Sequence, residues 1–423
     1  VLIVGDAVSA PTGLGRIAGE IARRADENLK DICRIATLGY GGAGSKRFNF
    51  PQYTIESMGG DFVIPNLPDV WEDWAGTEAG IIFFIWDSSR LGWFARPNVM
   101  CDIKLLKSFL TTAKIQRWIY SPIDAEGPRG KLAYPLAQCH LGFDRILAYG
   151  QWGENMIRQS LGEEASLDRD LGSVPHGIDS KVFYPRDRSI CRKGFFQNTE
   201  ATSVAIGRTQ TVLLEDQPLI GTVATNQTRK DWGLWAEVCA LFITRHPKAR
   251  FWVHTDTPER HWSIPQLLVD FGLADRTSIS LGYLSDDQMA QAYTACDLTL
   301  GIGAGEGFGY PIAESLFCGT PVIHGRYGGA VDFLTEDLLV NPVAFRLEGL
   351  YACKRPVFEA KDWVDKMEYL LGKRMNRPGQ LDWEIVWPRF EAWFRTGLPN
   401  KNIVGTKENF YGPMSSPRMQ ERV

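Results

Sequence analysis

Short apolar runs alternate with longer amphipathic stretches along most of the chain. Val1–Val4, Ile32–Leu38, Ile81–Trp86, Ile115–Tyr120 and Arg145–Tyr149 are rich in branched and aromatic side chains and bounded by turn residues. Leu219–Ala224, Arg250–Val253, Thr277–Leu281, Asp297–Leu300 and Thr320–Ile323 repeat that pattern in the second half. Such runs predict strands buried on both faces. Helical spacings lie between them. Ile17 and Ile21 open a helix reaching about Ala25, and Trp152–Leu161 and Gly233–His246 give two more. Ser285 with Gln288 makes a capping box for a helix that ends at Ala295. Trp363, Val364, Met367, Leu370 and Leu371 share one helical face, and Trp387, Phe390, Trp393 and Phe394 share another; both are core faces. This alternation predicts α/β architecture with parallel, doubly wound sheets. Two stretches break it. Phe62–Trp74 is aromatic-rich and expected to be irregular, able to border a ligand but of a kind that more often fills a core. Pro185–Gln217 is polar without periodicity and reads as linker plus insertion.

Composition narrows the class. A chain of 423 residues holds two domains, and 44% hydrophobic with 23% charged residues is ordinary globular protein. No apolar run approaches twenty residues, so no membrane span is expected. The opening VLIVGDA has no basic residues before it and reads as a buried strand rather than a leader. Eight cysteines without a CxxC pair are expected to be reduced core residues of a cytoplasmic protein. A net charge of −4 gives no general pull toward nucleic acid. The cluster Arg186, Arg188, Arg192 and Lys193 is a local exception, read as a solvated face ahead of a phosphate contact. There are six histidines and no HxH, and the one DxD pair, Asp168 and Asp170, lies in a polar helix-like segment. Neither metal nor cofactor is expected.

Two glycine-rich turns carry the chemistry. In TGLGR, Gly13, Gly15 and Ala18 satisfy the GxGxxA dinucleotide fingerprint, the mark of a nicotinamide-dependent oxidoreductase. That fingerprint needs a tight turn and an acid ending the second strand. Here eight residues separate the strand from Gly13, and the second strand runs into Gly39 and Tyr40. The fingerprint fails on both counts. The second turn, Gly301–Ile323, puts five glycines in nine residues before a helix starting near Pro311. Exposed N–H groups at that helix end suit an anion. Yet Glu306 lies inside the loop, and Glu314 follows eight residues later in the first turns of the helix. A glycine turn that merely packs is the plain alternative, but a carboxylate in such a loop needs a partner or a task.

The run GIGAGEGFGYPIAESLFCGTPVI resembles the signature of retaining glycosyltransferase family 4, the glycogen-synthase-like group with the GT-B fold. The family pattern of two glutamates separated by seven residues fits Glu306 and Glu314, and the CGTP strand entry is present. The resemblance implies two Rossmann-like doubly wound domains facing a cleft. Residues 1–183 would form an N-terminal acceptor domain, 184–217 a linker or insertion, and 218–380 a nucleotide-sugar domain. Residues 381–395 would be a helix crossing back to the first domain, and 396–423 a polar tail. SVPHGIDSKVFYP matches the segment that ends the first domain, with His176 read as fixing backbone at the junction rather than as catalytic.

By the same resemblance the donor is a nucleoside-diphosphate-sugar, uridine diphosphate being expected from frequency alone. Its diphosphate would meet Gly13 and Gly15, Lys230 and the loop Gly307, Phe308, Gly309 and Tyr310. In TNQTRKDW the family arginine is replaced by Thr225, with Arg229 next door as the substitute. Tyr283 and Leu284 would border the base, and Glu314 would take the ribose hydroxyls. Glu306 would sit by the donor sugar and stabilise positive charge at the anomeric carbon. A first-domain histidine common in the family is missing. Asp124, in YSPID, stands in its place, either as a catalytic group at the cleft or as a cap of the following turn. Asp332 follows a glycine pair where the family usually has Glu. The implied acceptor is a glycan or other carbohydrate hydroxyl. A hydroxymethylated base in DNA is a less favoured alternative, as is an epimerase or phosphorylase on the same fold.

Overall fold

The apolar runs form two parallel sheets in the computed structural model, which describes residues 1–41, 48–55, 63–95, 109, 114–198 and 217–398. Among the described residues the first sheet has seven strands: β1 (Leu2–Asp6), β2 (Ala36–Tyr40), β3 (Gln52–Ile55), β4 (Gly80–Ile85), β5 (Ile115–Ser121), β6 (Arg145–Ala148) and β7 (Gly172–Ser173). Their order is β3-β2-β1-β4-β5-β6-β7, with every neighbouring pair parallel. The second sheet has β8 (Leu219–Val223), β9 (Arg250–Thr255), β10 (Thr277–Leu281), β11 (Leu298–Gly301), β12 (Val322–Gly325) and β13 (Leu339–Val340). It is also parallel, in the order β10-β9-β8-β11-β12-β13. Each sheet reverses its winding beside its first strand, and ligands of such sheets bind at the strand ends there. An antiparallel hairpin of β14 (Ala344–Glu348) and β15 (Cys353–Val357) follows.

The helix Trp383–Gly397 packs on the first sheet. Trp393 and Phe394 meet Phe83 and Trp118, and Arg145 donates to the Trp393 carbonyl at 2.7 Å. Among the described residues no helix is long and apolar enough to cross a membrane.

Three local expectations differ. Strand β2 begins at Ala36, because Ile32 and Cys33 close the turn after the helix Gly13–Asn28 by bonding the Leu29 carbonyl. The expected irregular piece contains the helix Leu67–Ala75, in which Val70, Trp71 and Ala75 are buried core residues. A helix, Arg188–Asn198, also stands where a linker was expected. It shows no apolar periodicity because Arg192 is part of its inner face, buried with Asp297. Residues 199–216 of that segment and 399–423 of the tail lie outside the described residues.

Candidate active site

The carboxyl ends of both sheets face one cleft. On the first-domain side Thr12 caps the helix Gly13–Asn28, accepting from the Gly15 amide at 2.9 Å and donating to Asp6 at 2.8 Å. A Cβ on Gly15 would stand 2.5 Å from the Ala7 carbonyl, so the turn itself demands glycine there. Gly13 instead faces Tyr310 of the second domain, 4.0 Å from the position a Cβ would take.

On the other side the turn Thr228–Lys230 directs two cations inward. Asp231, with φ 43°, caps the helix Trp232–Arg245 and frees the turn to bend. Lys230 pairs with Glu306. Arg229 lies 3.4 Å from the same carboxylate, donates to the Gly305 carbonyl at 2.9 Å, and stands 3.3 Å from Asp124. Asp124, Arg229, Glu306 and Lys230 thus form a row of alternating charge across the two domains. Burial would raise the Glu306 pKa, but Lys230 and then Arg229 outweigh it and hold the carboxyl at about 2. Lys230 is lowered by burial and by Arg229.

Glu314 is buried eight residues on, in the helix Tyr310–Phe317. It accepts from the Tyr293 hydroxyl at 3.0 Å and pairs with Arg16. The Arg16 guanidinium lies over the Tyr310 ring, 4.7 Å from its centroid. A small hollow opens at the ends of β8 and β11, between Val223, Ala224, Tyr293, Glu306, Gly309 and Pro311.

The hairpin joins this site to the first domain. Lys354 N–H donates to the Glu126 carbonyl at 2.8 Å. The Tyr327 hydroxyl accepts from Glu126 N–H at 2.8 Å and donates to the Lys354 carbonyl. Buried Arg355 donates to the carbonyls of Asp124 at 3.2 Å and Ala304 at 3.0 Å, and its other nitrogen is 3.7 Å from the Asp124 carboxylate. Gly305 has φ 135°, and a Cβ there would collide with the Asp124 carbonyl. Asp332 also reaches across the cleft, accepting from the Trp152 N–H at 3.0 Å at the start of the helix Gln151–Leu161. Burial raises its pKa to about 6.

Of the residues singled out in the sequence, Glu306, Asp124, Arg229 and Lys230 come together, and Gly13, Gly15, Tyr310 and Glu314 flank Arg16. Gly307, Phe308 and Gly309 line the loop between them. Thr225 is exposed, Tyr283 is 61% exposed, and neither they nor Leu284 line the hollow. His176 does not fix backbone. It is buried among the rings of Tyr149, Phe308, Tyr310 and Tyr120, at centroid distances of 4.2, 4.5, 4.9 and 5.6 Å. Neither of its ring nitrogens has a partner among the described residues, and burial pushes its pKa well down. The basic cluster is a solvated face only in part: Lys193 is exposed, but Arg188 and Arg192 pair with Asp297, and Arg186 lies 2.8 Å from Asp287. Arg16, Tyr293, Tyr327 and Arg355 were not singled out in the sequence. Arg16 had a signal, since it follows Gly15 directly; the other three meet their partners only through tertiary contacts.

Two Rossmann-like domains meeting at a cleft define the GT-B fold. The family model described as Glycosyl transferases group 1 matches residues 217–370, which lie in the second domain. The chain is 25% identical over 293 residues to the D-inositol 3-phosphate glycosyltransferase of Saccharomonospora viridis, covering 67% of this chain and 59% of that protein. It is 27% identical over 293 residues to the enzyme of the same name from Mycobacteroides abscessus, covering 68% and 57%. The match therefore spans less than two thirds of these relatives. Among solved structures, Anabaena HepE in complex with UDP-glucose superposes with a TM-score of 0.65 at 14% identity, covering 93% of this chain and 99% of that one. Sucrose-phosphate synthase from Thermosynechococcus elongatus gives 0.60 at 13% identity, covering 93% and 98%. The GT-B fold expected from the sequence is the fold these solved structures share with the chain.

Proposed function

We propose that the protein is a retaining glycosyltransferase that moves a sugar from a nucleoside-diphosphate-sugar to an acceptor hydroxyl. The carrying observation is Glu306, a carboxylate kept ionised between Lys230 and Arg229 at the mouth of the cleft. In this reading the bond from the anomeric carbon to the β-phosphate oxygen breaks while the acceptor oxygen bonds to the same carbon. Glu306 stabilises the positive charge that develops on the sugar, and Lys230 the negative charge gained by the leaving diphosphate. Glu314 takes the ribose hydroxyls. The leaving-group charge is assigned to protein cations, with no metal invoked. The acceptor proton passes to the departing phosphate or to Asp124. Asp124 faces Arg229 and Arg355, which supports a place at the cleft ahead of a turn cap.

HepE, solved with UDP-glucose, makes uridine the first base to try. The relatives named for D-inositol 3-phosphate make a phosphorylated cyclic polyol a first acceptor beside simple glycans. The three arginines of the basic cluster that spoke for DNA are engaged by aspartates. The test is a panel of uridine, guanosine and adenosine diphosphate sugars with and without acceptors. Acceptor-dependent release of diphosphate and a product with the donor's anomeric configuration are expected. Sugar interconversion without diphosphate release would mean an epimerase, and an inverted product would refute retention. Asp124→Asn separates its two roles, since an amide can still cap a turn but cannot accept a proton.

A further inference from the structure

The charges in the cleft leave a donor diphosphate short of one cation, an argument that rests on the donor reading above. Lys230 is engaged by Glu306, and Arg229 by Glu306, Asp124 and the Gly305 carbonyl. Thr225, read from the sequence resemblance as standing in an arginine position, is exposed and uncharged. Arg229 therefore does not simply take over that contact.

A guanidinium stands on the opposite wall. Arg16 follows Gly15 in the first turn of the helix Gly13–Asn28, and lies over Tyr310, the first residue of the helix that holds Glu314. Its partner is Glu314, the carboxylate that the ribose requires. A second carboxylate, Asp286, is 3.7 Å from its other terminal nitrogen. Both Glu314 oxygens are already engaged, one by Arg16 and the other by Tyr293 at 3.0 Å, so ribose hydroxyls must compete with the guanidinium or share its oxygen. Donor entry thus weakens the hold of Glu314 on Arg16 and favours its release. The released cation stands beside the loop and helix end to which the donor reading assigns the phosphates. Its contact with the Tyr310 face is weakly directional, so the side chain can swing while staying on the ring.

We infer that Arg16 is a donor-binding residue that changes partner: it closes Glu314 in the free protein and pairs with the diphosphate once the ribose takes Glu314. One ion pair breaks and one forms, so the exchange is favourable only for ligands that bring phosphate. A bare nucleoside must break the Arg16–Glu314 pair with nothing to offer in return. Arg16 thereby makes the site select for the diphosphate as well as bind it.

The test uses the full chain, titrated calorimetrically with uridine diphosphate and with uridine, or with the guanosine or adenosine pair if that base is the one that stabilises the wild type. Arg16→Gln should weaken the diphosphate about 10- to 100-fold, as expected for loss of one charge-assisted contact. The same change should leave the nucleoside unweakened or bind it several-fold more tightly, because Glu314 is released. Arg16→Lys should recover part of the diphosphate affinity, and it is the variant to read if the glutamine form fails to fold. Tighter binding of both ligands would make Arg16 a mere competitor and overturn the inference. An equal loss for both would make it structural and overturn it too. Wild type that binds none of the three diphosphates would remove the donor reading itself.

Discussion

Replacing Glu306 with glutamine strands a cation. The carboxyl pKa is held at about 2, against an ordinary value of 4.5, which corresponds to about 3 kcal/mol favouring the ionised pair. The ammonium carries the opposite load, because burial and Arg229 lower its pKa despite Glu306. The figure of about 3 kcal/mol is therefore an upper value for the intact pair. Glu306→Gln keeps the shape but leaves Lys230, whose side chain is 11% exposed, without its anion. Breaking a buried pair in this way costs about 3–5 kcal/mol. For a unit of this size the melting temperature should fall by roughly 2–4 °C per kcal/mol, or about 10 °C in all. Turnover should fall by about a hundredfold or more. A nucleoside diphosphate returns an anion to Lys230, so its stabilising effect should be larger in the variant than in the wild type. Acid separates the two further. The depressed pKa means that the Glu306 contribution is complete above about 4.5 and is lost as pH falls toward 2. The gap between wild type and variant should therefore narrow below pH 4.5. Differential scanning fluorimetry with and without diphosphate, from pH 3 to 8, reads all of this. Equal melting temperatures at pH 7, or a smaller diphosphate shift in the variant, would refute the reasoning.

Arg355→Gln should leave the Asp124 and Ala304 carbonyls short of a donor, at about 1–3 kcal/mol each, which a urea melt would detect as a lower midpoint. Gly305→Ala adds a Cβ that collides with the Asp124 carbonyl at a φ of 135°; small-angle scattering should show a larger radius of gyration together with lost turnover. Asp332 has its pKa raised from 3.8 to about 6 by burial, so the fold binds extra protons there. Its unfavourable contribution is absent below pH 3.8 and complete above 6, about 3 kcal/mol in all. Asp332→Asn keeps the cap, so the stability loss between pH 4 and 6 should flatten in a series of melts.

The parallel sheets were readable because strands buried on both faces are written as unbroken apolar runs, from LIVGD in β1 to LTLG in β11. The glycine loop was readable because its spacing and its two carboxylates are local in sequence. The helix Arg188–Asn198 was not, since part of its buried face is an arginine whose partner, Asp297, is 105 residues away from Arg192. Arg229 was expected to stand in for a phosphate contact; its engagement with Asp124 depends on how the domains close. Nothing in the sequence around Arg355 marks it, and only its reach to two carbonyls from different domains gives it a role.

The hairpin has a consequence for timing. Its backbone bond from Lys354 to Glu126, the Tyr327 hydroxyl and Arg355 all span the cleft, so opening breaks them together. Every about 1.4 kcal/mol held there makes the open form ten times rarer. For the proposed reaction, substrate entry and product escape would then wait on a minor population, and the frequency of unclasping would set a ceiling on turnover that chemistry at Glu306 cannot raise. Weakening the clasp could therefore quicken release while slowing the bond exchange itself, and the faster protein would be the one whose two halves let go at the right rate.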